Sequence, residues 1–130
     1  MSEQSRPNDG MANEGTAGKA VVRRIAEVDA VDCPCGTARR VFSRADGGPV
    51  GIHHVTISED AQLHYHKRTT EYYVVLEGHG EIELDDERVK VGPGDVVYIP
   101  PLTRHAARGT LTIINVVHPP LDPADEFVEE

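Results

Sequence analysis

The residues with the most chemistry in this chain are His64-Tyr65-His66, Glu71 and His105. In a strand the side-chain period is two, so His64 and His66 face the same way, about 6.7 Å apart along the chain, and their imidazoles can converge on one ion. In a helix the same pair would diverge. Glu71 follows the turn 67–70 and opens the next apolar run, where it can sit beside the two histidines. His105 stands at the entry to another short run, after Pro100-Pro101-Leu102-Thr103-Arg104, and can supply a fourth ligand. Imidazole and carboxylate together make a set of hard and borderline ligands suited to a divalent transition metal (Mn, Fe, Co, Ni, Zn or Cu), with open positions when the geometry is octahedral. Those positions would take water at rest and a bidentate substrate, or dioxygen, in a working site.

The elements that must position these groups are strands. Short apolar runs at 40–42, 51–57, 62–66, 71–76, 81–84, 88–91, 96–99, 105–107 and 111–117 alternate with Gly, Pro and Asp clusters. Such punctuation predicts a sandwich or small barrel of eight or nine strands. Breaks are expected at Asp46-Gly47-Gly48-Pro49, Ser58-Glu59-Asp60, Gly78-His79-Gly80, Asp85-Asp86, Gly92-Pro93-Gly94 and Gly109-Thr110. The one helical candidate, 20–29, has poor apolar spacing. Residues 1–18 are polar and Gly-rich and are expected to form a disordered tail. Residues 19–118 form the barrel domain, and 119–130 an extended strap with an acidic end.

Read in order, His64-x-His66-x4-Glu71-x6-Gly78 and then Gly94-x5-Pro100-x4-His105, with 15 residues between the two motifs, resemble the cupin superfamily over residues 52–117. The resemblance implies an all-β, single-domain jelly-roll barrel with one metal inside, its ligands mapping onto His64, His66, Glu71 and His105. Three motif positions depart from the family's pattern: Ser58 and Leu102 stand where glycine is usual, and Gly109 where asparagine is usual. None is a ligand, so the departures bear on turn geometry.

Parity then sorts the pocket. If Glu71 faces in, so do Tyr73 and Val75, while Tyr72, Val74 and Leu76 face out. Tyr73 is therefore the phenol nearest the metal and the candidate catalytic group, its plain alternative being a core aromatic. His53 and His54 face opposite ways; one lines the barrel, and His54 is assigned to the pocket. Asn115, polar inside an apolar strand, is either buried with partners or in contact with ligand. Arg39 and Arg40 are a basic pair that is either solvated or receives a carboxylate or phosphate, and Arg40 is assigned to the pocket. In an extended Cys33-Pro34-Cys35 segment the thiols would point apart, so free thiols at the barrel rim are expected.

Composition bounds the rest. Thirteen Lys and Arg against 22 Asp and Glu give a net charge of −9. That argues against capture of nucleic acid or of an anionic membrane surface, both of which need cationic patches. No run reaches the roughly 20 apolar residues of a spanning helix, no apolar leader segment occupies the first thirty residues, and two cysteines are too few for a disulfide scaffold. A soluble, cytoplasmic protein is the default expectation. Runs 71–76, 96–99 and 111–117 are apolar on both faces. The second face needs cover from the N-terminal segment or from another subunit, so a homodimer is expected. The functional expectation is a metal-dependent enzyme on a small organic substrate, of oxygenase, isomerase or lyase type. The alternative is a non-catalytic binder of a sugar or organic acid in which the metal orients the ligand or is structural.

Overall fold

The computed structural model describes residues 18–58 and 61–129. The expected tail lies outside the described residues except for Gly18, as do Glu59, Asp60 and Glu130. Nine strands form one curled antiparallel sheet: β1 (Ala30–Cys33), β2 (Gly36–Phe42), β3 (Gly51–Ile57), β4 (His64–Tyr65), β5 (Thr70–Leu84), β6 (Glu87–Val91), β7 (Val96–Ile99), β8 (His105–His118) and β9 (Phe127–Val128). The all-β jelly-roll expectation holds. The helical candidate is reduced to a single 3-10 turn at Ile25–Glu27.

Two expected breaks are not turns. Gly78-His79-Gly80 lies inside β5 and Gly109-Thr110 inside β8, and these two strands pair along their whole length, from Thr70 opposite His118 to Leu84 opposite His105. Their outer halves serve different neighbours. The first part of β5 pairs with β7 and its last part with β6; the end of β8 pairs with β3 and its start with β4. The sheet therefore folds over at the glycines. Backbone contact there is too close for a side chain: a Cβ on Gly80 would stand 2.0 Å from the Arg108 carbonyl oxygen, and one on Gly109 2.8 Å from Gly80 Cα. Glycine marks a bend here rather than a reversal, because β5 and β8 remain paired on both sides of it, with a one-residue shift in register between Val75 and Glu77.

Inside the fold, Val55, Val75, Ile82, Ile99, Leu111, Ile113 and Val117 are all but fully buried. Parity on β5 is as expected: Glu71, Tyr73 and Val75 are buried while Tyr72 and Leu76 are exposed. The outer face carries two apolar rows across neighbouring strands, Ile52–Val116–Tyr72–Tyr98 and His54–Ile114–Val74–Val96. Its β5–β7 end is open, with Tyr98 57% and Val96 62% exposed.

Two local features differ from the sequence reading. Cys33 and Cys35 form a disulfide rather than free thiols. The segment is not extended: β1 and β2 are a hairpin in which Cys33 pairs with Gly36, so Pro34-Cys35 is the reversal that brings the two sulfurs together. At Leu102 the backbone keeps the left-handed conformation (φ 73°) that the family's glycine would adopt freely. The Leu102 amide donates to the His66 carbonyl at 2.7 Å, which ties this turn to the segment carrying the histidines.

Candidate metal centre

The motif residues meet where the short strand β4 crosses the start of β8. His64 and His105 are direct cross-strand partners, and Glu71 opens β5 one strand away, opposite Val117 and Ile99. His66 follows β4 in the turn. The His64, His66 and Glu71 side chains each offer a ligand atom within 4.8 Å of the others, and all three are buried. His105 completes the set, its Nε2 2.9 Å from Glu71 Oε1.

The surroundings aim these atoms. His64 Nδ1 donates to the Gln62 carbonyl at 2.9 Å and His105 Nδ1 to the Thr103 carbonyl at 2.8 Å. With Nδ1 protonated, the Nε2 lone pair of each ring is free to ligate. Asn115 Nδ2 donates to Glu71 Oε2 at 2.9 Å, which leaves Oε1 as the free oxygen. His66 Nε2, Glu71 Oε1 and His105 Nε2 are all buried without a hydrogen-bond partner. Buried polar atoms are rarely left unpaired, and here the orphans are two imidazole nitrogens and a carboxylate oxygen gathered on one point. The residues fit a divalent metal ion.

Electrostatics agree. Burial, and next the closeness of the His105 imidazole, lower the His64 pKa to about 4, so the His64 ring is neutral and ligand-ready at pH 7. Burial favours the neutral Glu71, but His105, His66 and Asn115 outweigh it and hold the carboxyl near 2. His66 is opposed by burial yet raised by Glu126 and Glu71. Burial and the Glu71 charge push the Tyr73 phenol well above its ordinary value, so it stays a neutral donor.

A cavity of about 20 Å³ adjoins the cluster, and its lining includes Arg40, His53, Tyr73, Asn115, Leu121 and Glu126. Arg40, Asn115 and Tyr73 all line this cavity. His54 does not: it sits on the outer face beside Ile114, and His53 takes the inner place, because it is His53 that pairs with Arg40 on one side and Asn115 on the other. Arg39 turns away to cap the Val28 carbonyl.

Sequence reasoning missed Glu126. It belongs to the acidic end, where nothing in the spacing separates it from its solvated neighbours. Its Oε2 lies 3.9 Å from His66 Nε2. Asp125 puts it there. That carboxylate, 2% exposed, accepts from the Lys67 amide at 2.9 Å, the Arg68 amide at 3.0 Å and Thr69 Oγ1 at 3.2 Å. The strap is thereby pinned to the turn between the ligands, and β9 pairs with β4 immediately after.

The cupin domain family matches residues 51–112. A protein from Planctomyces limnophilus of known crystal structure is 42% identical, with a TM-score of 0.79 over 83% of this chain and 96% of its own. The chain belongs to the cupins. A relative from Methanocaldococcus jannaschii, an uncharacterized protein, is 35% identical over 80 residues, which are 58% of this chain and 64% of that protein's length. The nucleoside dehydratase Pac13 of Streptomyces shares the cupin fold at 20% identity, with a TM-score of 0.74 over 86% of this chain and 92% of its own. Among the described residues of this cupin, no helix is long and apolar enough to cross a membrane.

Proposed function

We propose that this cupin is a metal-dependent enzyme acting on a small organic substrate, with one divalent transition metal per chain held by His64, His66, Glu71 and His105. The observation that carries the reading is the convergence of orphaned, buried ligand atoms beside a cavity. When bound, the ion would act as a Lewis acid on an oxygen of the substrate.

The chain's own residues supply the rest. Asn115 fixes the orientation of Glu71. Tyr73 is a buried neutral phenol that lines the cavity, its ring centroid 6.1 Å from that of His105. Glu126, held below its ordinary pKa chiefly by His66, is the carboxylate in the cavity lining that can take a proton. A carboxylate base and a phenol donor lining one cavity suit elimination or isomerisation, and the dehydratase found on this fold supports a lyase-type reaction. A second copy is proposed as the partner that covers the open apolar face of β5 and β7.

Elemental mass spectrometry of the purified protein tests the centre. Close to one ion per chain is expected in the wild type, with loss in both His64→Ala and His105→Ala. An absence of metal after reconstitution with each candidate ion would remove the enzyme reading. Substrate-dependent oxygen uptake by the iron-loaded protein would instead favour an oxygenase over a lyase.

A further inference from the structure

The inner face of the sheet is layered. One layer runs Gly51–Val117–Glu71 across β3, β8 and β5 and carries the metal-side carboxylate. The next runs Arg40–His53–Asn115–Tyr73 across β2, β3, β8 and β5. The third is Ala38–Val55–Ile113–Val75, in which every residue is at most 2% exposed. A barrel that needed only filling would repeat the third layer. The middle one is instead polar throughout, wedged between the metal ligands and an apolar floor, where an unpaired polar group is costly.

Two atoms of that layer are unpaired. Asn115 is 7% exposed; its amide N–H₂ is committed to Glu71, and its Oδ1 is buried with no partner. The amide cannot be turned round, because an ionised carboxylate only accepts. Arg40 Nε is likewise buried with no partner, and no ion pair within 4 Å engages its guanidinium among the described residues. Asn115 Oδ1 is therefore without a donor and Arg40 Nε without an acceptor; Glu126 lines the same cavity and responds to the charge of Arg40 but makes no ion pair with it within 4 Å. Charge points the same way: with a divalent cation in place, Arg40 leaves the cavity one positive charge ahead of Glu71 and Glu126, a balance that a monoanion neutralises. An amino acid would bring a second cation beside Arg40, whereas a hydroxyl supplies the donor without charge. The cavity, about 20 Å³, holds only one or two water-sized groups, so any ligand taken there must be small and must displace what fills the space beside it.

We propose that this layer is the binding site for a small 2-hydroxycarboxylate, its carboxylate on Arg40 and its hydroxyl donating to Asn115 Oδ1, beside the cation site. The proposal rests on the metal-dependent reading above and narrows it to a substrate class.

Calorimetric titration tests it, with glycolate, acetate, glycolamide and inorganic phosphate as probes. Each is titrated into metal-free and Mn(II)-loaded protein, in the wild type, Arg40→Gln and Arg40→Lys, with metal content measured on every sample. Glycolate is expected to bind about tenfold or more tightly than acetate, which lacks the hydroxyl, and than glycolamide, which lacks the charge. It should also bind more tightly than phosphate. Arg40→Gln should bring glycolate down to the level of acetate, Arg40→Lys should restore part of the difference, and metal content should stay unchanged in both. Glycolate no tighter than any one of the other three probes, or untouched by Arg40→Gln, would overturn the proposal. Failure to load metal would count against the metal centre alone, since the same ranking and the same dependence on Arg40 are read in the metal-free protein.

Discussion

At the scale of single residues, the centre depends on groups that never touch the ion. Asn115 spends its amide on Glu71, and Thr103 and Gln62 spend backbone carbonyls on the two imidazoles. Partners of this kind set ligand orientation, and losing one costs about 10–100-fold in metal affinity. Asn115→Leu is therefore expected to bind the ion about 10–100-fold more weakly, as read by chelator competition, without losing the fold. Leu102 offers a test of the opposite sign. It holds a left-handed backbone at 59% exposure, so it contributes little burial to offset the strain. Leu102→Gly should stabilise the protein by about 0.5 kcal/mol, the relief of a left-handed leucine less the entropy of a freer unfolded chain, measured by urea unfolding.

At the scale of elements, the C-terminal segment depends most on contacts distant in sequence. Its two-residue strand and a short 3-10 turn (Pro123–Asp125) would not persist alone; Asp125 locks them down with three accepted hydrogen bonds. Those bonds hold the Asp125 pKa below its ordinary 3.8 against the opposing effect of burial. A depressed carboxyl pKa in the folded state gives a contribution that is present above the unfolded value and lost as pH falls through the folded one. The strap should therefore stay docked from neutral pH down to about 4 and release below it. Asp125→Asn keeps one acceptor but sets an N–H₂ against backbone donors, a loss of about 2 kcal/mol. Hydrogen exchange at pH 7 should then show residues 121–129 opening faster while strands β3 and β8 keep their protection. Unchanged exchange in that segment would mean that β9 alone holds it.

At the scale of the molecule, the outer face of the sheet resembles an interior. The rows Ile52–Val116–Tyr72–Tyr98 and His54–Ile114–Val74–Val96 are apolar but for His54, and their β7 end stands open. A patch of this kind on a small domain marks an interaction surface. Sedimentation velocity at micromolar concentration should find a dimer, and Tyr98→Glu should shift it to monomer without changing metal content. A wild-type monomer under those conditions would rule out the pairing.

How much of this was legible beforehand follows from what kind of information each feature uses. His64, His66 and Glu71 could be grouped from the sequence because their geometry is local: a period of two and one short turn bring them to one place. The strand runs and the inward set Glu71, Tyr73 and Val75 were legible for the same reason. His53 against His54 was not, since both alternations are self-consistent and only the pairing of β3 with β2 and β8 says which one faces Arg40 and Asn115. Gly78, Gly80 and Gly109 signal a break in either reading; that they bend two continuous strands depends on the contact between those strands. The Cys33–Cys35 bond waited on the β1–β2 reversal. Glu126 waited on Asp125 finding the 67–69 turn, more than fifty residues back along the chain. The sequence by itself determined the candidate ligands, the strand content and the family, all carried by side-chain type and short-range period. The tertiary structure decided which polar residues share the cavity and where the C-terminal segment docks, because those contacts join segments that are distant in sequence and no local pattern encodes them.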